Sequence, residues 1–310
     1  MQKPHCRGRG KATEIAMVVS FVFLVFFIVV NKEQISIRSA YSPDVERSVA
    51  TKRVLREETM VVATERVLTR ETMEGAAQDD PALVNYIRHN LLQPPSQLPY
   101  NLSNPTKQHF SQYGQSQYVD NEVLHGMTGG FFVEVGAVDG EHLSNTLFLE
   151  RNRSWTGLLI EAFPGTYQQL QQKHRKAYSI NTALAISNIS SKVHFQYSGG
   201  LGVLSRISKN SSQTFQTTAI PFYSLLLALN ITQIDYFSID IEGAEMKVLR
   251  TIPWDKIKIR LMCVEINHIP EGASALIAFI VKQGYKFLGI RTIDAWFGWP
   301  DLLNQTMKIT

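Results

Sequence analysis

Three groups of residues have types and spacings suited to chemistry. The first is Glu134-Val135-Gly136-Ala137-Val138-Asp139-Gly140. Gly136 suits a tight turn after a strand, and Gly140 suits a backbone that a ligand approaches closely. The E-x-G-x-x-x-G spacing has one turn glycine fewer than the dinucleotide pattern G-x-G-x-x-G, which argues against a pyrophosphate cradle. The second is Glu161, 27 residues beyond Glu134. An acid at the end of the next strand can accept hydrogen bonds from both hydroxyls of a ribose. Together these positions point to a nucleoside site. A turn without ligand, followed by an acid stabilised at a helix N-terminus, is the plainer alternative. The third is Asp240-Ile241-Glu242-Gly243-Ala244-Glu245, with Glu265 and His268 further on. Asp139 and His142 fall across the expected cleft. Clustered carboxylates raise one another's pKa, which suits a general base or a divalent cation. Asp240, Glu242 and His268 are the candidate catalytic residues, and no resident metal is assigned. Against this stand ordinary helix N-terminal acids at Glu242 and Glu245 and a structural His268.

The elements around these groups place each of them at a strand end. Strand-type runs are expected at Phe131–Val135, Thr156–Ile160, Tyr178–Leu184, Ile234–Ile239, Ile259–Ile266 and Lys286–Ile290, with Asp294–Phe297 closing the sheet. Helical patterns fall at Ser144–Arg151, Thr166–Lys176, Glu245–Arg250 and Ala273–Gln283. A hairpin-like region and a Ser/Gly-rich loop, Ser198–Ser212, separate the third and fourth strands. Such alternation implies an α/β fold with a mostly parallel sheet and helices on both faces. Ligands then bind beyond the carboxyl ends of the strands.

The N-terminal part reads differently. Ile15–Val30 is apolar except for Ser20, and Lys3, Arg7, Arg9 and Lys11 precede it. Sixteen helical residues span about 24 Å, enough for a thin bilayer. Positive flanks stay cytosolic, so the rest of the chain is expected on the lumenal side. A cleaved signal peptide is the rival reading. The expected organisation is a cytosolic tail at 1–14, a transmembrane anchor at 15–30, a stem at 31–80, a helix and lead-in at 81–128, and the main domain at 129–310. The stem carries an imperfect repeat, Arg53–Met60 and Arg66–Met73, and Pro81 opens an amphipathic stretch through Leu92. N-x-Ser/Thr sequons at Asn101, Asn152, Asn188, Asn210, Asn230 and Asn304 agree with passage through the secretory pathway. Cys6 and Cys263 flank the apolar segment, so no disulfide is expected within the chain. A net charge of only +4, with no dense basic face, argues against nucleic acid as a partner.

The run FFVEVGAVDGEHLSNTLFLERNRSWTGLLIEAFPGTYQQL, followed by IDYFSIDIEGAEMKVLR, resembles the FkbM-type methyltransferase family over about Gly129 to Ile290. The resemblance implies a class I S-adenosylmethionine-dependent methyltransferase fold. It places S-adenosylmethionine at Glu134, Gly136, Gly140 and Glu161, with Asp139 in the same turn. Combined with the anchor, the chain looks like the invertebrate Star-like branch. That likeness implies a type II membrane protein of the endoplasmic reticulum and Golgi, possessing a lumenal domain, that moves a growth-factor precursor as cargo. The alternative it implies is an active O-methyltransferase acting on a glycan, lipid or secreted substrate. Many bacterial members carry an acid in the helix before the DIEG strand, where this chain has Ser224.

Overall fold

The computed structural model of the chain describes residues 68–69, 72–196, 206–207 and 214–301. The expected anchor, most of the stem and the sequons at Asn210 and Asn304 lie outside them. Among the described residues no helix is long and apolar enough to cross a membrane.

Seven strands form the main sheet: β1 (Phe131–Val135), β2 (Thr156–Glu161), β3 (Tyr178–Asn181), β8 (Gln233–Ile239), β9 (Lys258–Glu265), β10 (Lys286–Arg291) and β11 (Asp294–Gly298). Their order is β10-β11-β9-β8-β1-β2-β3. β1, β2, β3, β8 and β9 run parallel, while β11 is antiparallel to both its neighbours. The central strands are near-continuous apolar runs because both faces of the sheet are covered.

Alternate residues feed two separate cores, as the two-residue period of a strand requires. Val133, Val135, Leu158, Ile160, Phe237 and Ile239 enter one core. There they meet α1 (Pro81–Tyr86), α5 (Phe222–Leu229), α6 (Glu245–Leu249) and α7 (Ala273–Lys282). Phe132, Leu159, Tyr236, Leu261 and Cys263 enter the other, against α3 (Leu147–Arg153) and α4 (Pro164–Gln172). Cys263 is buried and unpaired, and burial pushes its thiol pKa up.

Two expectations are corrected. First, the folded unit does not begin near Gly129: all described residues belong to one compact unit, 66–310. Asp80 caps α1 by accepting the Ala82 amide at 2.8 Å, and Pro81 occupies its first turn. Ile87–Leu91 continues the helix as a π-helical turn. Leu83 and Ile87 are wholly buried in the first core with Leu68, Met73 and Ala76. Downstream, the short α2 (Gln115–Gln117) runs into a π-helical segment, Tyr118–Val123, that seals the second core. Outside the amphipathic stretch that Pro81 opens, the apolar residues of this region are too widely spaced to show one periodicity, and their burial comes from the sheet they cover.

Second, Tyr178–Leu184 is not one strand. β3 ends at Asn181, and β4 (Ala183–Leu184) belongs to a second sheet with β5 (Ser191–Gln196), β6 (Arg206–Ile207) and β7 (Thr214–Ile220), ordered β4-β7-β5-β6. Thr182 makes the transfer. Its amide still donates to the Glu161 carbonyl, while its hydroxyl donates to the Thr218 carbonyl at 2.8 Å. The hairpin-like region is the antiparallel pair β5 and β7.

From β1 the chain builds outward through β2 to β3, then returns to β8 on the other side of β1. The crevice beyond β1 and β8 is the switch point at which such sheets bind ligands. Gly136 sits there with φ +85°, and a Cβ at that position would fall 2.1 Å from the Asp240 carbonyl oxygen. Only glycine allows the two strand ends to approach so closely. Gly136→Ala is therefore expected to destabilise the protein by about 2–4 kcal/mol, combining a left-handed backbone penalty with a forced separation of β1 and β8. Urea unfolding, read at its midpoint with unchanged slope, checks this.

Candidate active site

The switch point opens into a cleft of about 290 Å³ lined by Glu134, Gly136, Glu161, Asp240, Glu242 and His268, together with apolar and amide side chains. Small-molecule pockets begin at about this size. Register pairs Val135 with Ile160 and with Ile239, so the ends of β1, β2 and β8 sit side by side.

The two acids at the ends of β1 and β2 hold backbone. Glu134 is buried. It accepts hydrogen bonds from the Ser144 hydroxyl at 2.9 Å, the Asn145 amide at 2.6 Å and the Thr146 hydroxyl at 2.5 Å. Burial pushes its pKa up, while Arg175 and these donors pull it back. Arg175, itself paired with buried Glu150 at 3.0 Å, ties the same loop through Thr146 and the Gly140 carbonyl. Glu161 accepts the Val138 and Phe163 amides, each at 2.8 Å. Burial raises its pKa to about 7.

Asp139 and Gly140 do not reach the cleft. Asp139 Oδ1 closes its own turn by accepting the Glu141 and His142 amides, and Oδ2 lies 3.6 Å from Lys173. A Cβ on Gly140 would press on Leu170 at 3.0 Å, so this glycine serves helix packing. Both support the loop from behind.

The third group converges as its spacing implied. Asp240 follows β8, and Glu242 is held at φ +57°. A Cβ on Gly243 would fall 2.5 Å from the His268 carbonyl oxygen, so this turn abuts the loop after β9. His268 Nδ1 lies 2.7 Å from Glu242 Oε2 and 3.7 Å from Glu265 Oε1. Glu245 is wholly buried and accepts the Ile241 amide at 2.8 Å and the Gly243 amide at 3.0 Å. Asp240 keeps an exposed side at the cleft mouth, yet protein surrounds the rest of it. Its low-polarity setting, then Glu242, Glu265, Glu245 and Asp294, push its pKa up to about 8. Burial raises Glu265 to about 7.

Several cleft residues carry no local signal. Asn145 donates to the Ser238 hydroxyl at 3.0 Å, and its Oδ1 is buried with no partner among the described residues. Asp294 arrives on β11 and accepts from Gln115 at 2.9 Å. Phe163 and Phe195 supply apolar wall. Asn145 lies in the Ser-Asn-Thr run after the glycine turn, which was the one available hint. Ser224, by contrast, is buried in α5 and donates to the Gln78 carbonyl at 2.6 Å, away from the cleft.

These donors and acceptors fit S-adenosylmethionine. Glu161 suits a ribose diol, the bare Asn145 Oδ1 suits an ammonium, and the acidic rim suits a cationic ligand.

Glu134→Leu is expected to strip three donors of their acceptor and cost at least about 2–3 kcal/mol, since one buried unpaired group alone costs roughly 1–3. Thermal unfolding reads the loss. Limited proteolysis should cut the variant first between residues 140 and 147.

Residues 134–287 match the family described as Methyltransferase FkbM domain. No curated protein matches the chain. Among solved structures, the FkbM methyltransferase of Methylobacillus flagellatus is 14% identical, with 70% of this chain and 53% of that chain covered and a TM-score of 0.38. This chain thus spans about half the length of that protein. Aeropyrum pernix fibrillarin, solved with natively bound S-adenosyl-L-methionine, is 10% identical over 60% of this chain and 73% of its own, with a TM-score of 0.37. A TDP-rhamnose 3'-O-methyltransferase of calicheamicin biosynthesis is 14% identical over 76% of this chain and 100% of its own, with a TM-score of 0.35. A mostly parallel sheet with its order reversing at β1, the glycine turn beside Glu161 and the family match agree: residues 134–287 are a methyltransferase FkbM domain.

Proposed function

We propose that this domain binds S-adenosylmethionine in the cleft and methylates a hydroxyl group on a glycan, lipid or secreted substrate. One observation carries this reading: Gly136 and Glu161, on adjacent strands, open on the same cleft as the Glu242–His268 pair. When bound, S-adenosylmethionine supplies an electrophilic methyl group. Glu161 accepts hydrogen bonds from the ribose hydroxyls. Glu242 holds His268 through Nδ1, which leaves Nε2 to take the proton of the acceptor hydroxyl. Phe163 and Phe195 exclude water from the apolar side of the cleft.

Calorimetry of the full-length chain with S-adenosylmethionine tests this. Affinity is expected to rise from pH 6 to pH 8 with a midpoint near 7. Ligand hydroxyls favour the ionised Glu161 carboxylate, and below that pH the group is protonated. Glu161→Gln should weaken binding by about 10–100-fold, the worth of a hydrogen bond to a charged group, and remove the pH-dependent component centred on 7. A folded protein that takes up no S-adenosylmethionine at any of these pH values rules the reading out.

A second reading is favoured by the apolar segment Ile15–Val30 and its basic flank. On it, the chain is a type II protein of secretory-pathway membranes, and its lumenal domain carries a growth-factor precursor from the endoplasmic reticulum toward the Golgi. The asparagines of the four described sequons, Asn101, Asn152, Asn188 and Asn230, are exposed, as glycosylation requires. The protein expressed in animal cells should then gain mobility on treatment with endoglycosidase. An unchanged band would remove the lumenal placement, and with it the cargo role.

A further inference from the structure

We propose that Asp240, Glu245 and Glu265 form a site for one divalent, oxygen-preferring cation of the Mg²⁺, Mn²⁺ or Ca²⁺ class. Each side chain offers a carboxylate oxygen, and these oxygens all lie within 4.8 Å of one another. Oxygens bound to a single such ion at roughly 2.0–2.6 Å are at most about 5 Å apart, so the spacing is that of a coordination shell. The donor set contains only oxygen, which selects hard cations over zinc or copper.

A separate observation concerns Glu265. Its side chain is almost fully buried, at 3% exposure. Oε1 accepts the Asn267 amide at 2.6 Å, but Oε2 has no hydrogen-bond partner among the described residues. A carboxylate oxygen walled off from water and left bare is costly unless something positive meets it. Nothing permanent does so: among the described residues no lysine or arginine lines the cleft. His268, the nearest basic group, is turned toward Glu242 at 2.7 Å and stands 3.7 Å from the other oxygen of Glu265.

The three ligands come from strand and helix ends, and hydrogen bonds fix two of them, Glu245 and Glu265. Asp240 follows β8, Glu265 ends β9, and Glu245 opens α6 with its oxygens fixed by the Ile241 and Gly243 amides. These hydrogen bonds orient Glu245 and leave it lone pairs for an ion, as supporting contacts do in metal sites. A cation placed there would lower the pKa of a hydroxyl bound to it. That role rests on the methyl-transfer reading; the binding itself does not.

The test uses the full-length chain, stripped with chelator and titrated with MnCl2, with free Mn²⁺ followed by electron paramagnetic resonance. One Mn²⁺ per chain should bind with a dissociation constant below about 1 mM. MgCl2 or CaCl2 should displace it, and MnCl2 should raise the unfolding midpoint by mass action. Glu265→Gln should weaken binding by about tenfold or more, whereas Glu122→Gln, at an exposed acid paired with Arg291, should leave it unchanged. If Glu265→Gln does not fold, Asp240→Asn at the cleft mouth gives the same reading. No stoichiometric uptake by the wild type, or equal uptake by the folded variants, overturns the proposal. Calorimetry with S-adenosylmethionine in chelator separates the two readings: Mn²⁺ uptake without cofactor uptake keeps the cation site and removes the methyltransferase function, and the converse result does the opposite.

Discussion

The closeness of backbone at two glycines governs this domain. The Asp240 carbonyl occupies the space that any side chain on residue 136 would need, and the His268 carbonyl does the same at residue 243. The first contact draws the ends of β1 and β8 together. The second draws the turn after β8 against the loop after β9. Three strand ends are thereby compressed onto one edge, and every polar side chain they deliver shares a small volume. The acidity of the cleft follows from that compression. Burial raises the pKa values of Asp240, Glu265 and Glu245, and neighbouring carboxylates add to the rise at Asp240 and Glu265.

The acids divide into two kinds. Glu134 and Glu161 direct their charge to backbone amides and hydroxyls, and so fix the loops that shape the cleft. Glu141 does the same further back, accepting the Ser103 and Asn104 amides at 2.7 Å each. Asp240 keeps an exposed side at the cleft mouth, and Glu265, beside it, keeps one buried oxygen without a hydrogen-bond partner among the described residues. A nucleoside cofactor and a cation are both positively disposed ligands for such a surface, and the two readings are compatible within it.

Much of this was legible in the sequence because the governing patterns are local. Central strands buried on both faces are continuous apolar runs, so β1, β2, β8 and β9 emerge within a residue or two of their observed limits. Acids and glycines at strand ends mark the cleft for the same reason. What was hidden depends on contacts distant in sequence. Asp139 looks like a cleft acid until its oxygen is seen capping its own turn. Leu83 and Ile87 look like a peripheral helix until the sheet covers them. Asp294 enters the site only because β11 inserts antiparallel beside β9. Tyr178–Leu184 lacks the glycine or proline that would mark a break at Thr182, and the transfer rests on the distant Thr218 carbonyl.

That break has a wider meaning. The main sheet passes to the smaller one through a single threonine, and from the smaller sheet Leu184 and Phe195 reach the cleft wall. The cavity is thus walled by two layers, the parallel strand ends with their acids and an apolar contribution from the smaller sheet. A lineage could rebuild the smaller layer, lengthening or exchanging its hairpin, without disturbing the parallel strands. Changes in the hairpin would in this way reshape the apolar wall while leaving the strand-end acids in place.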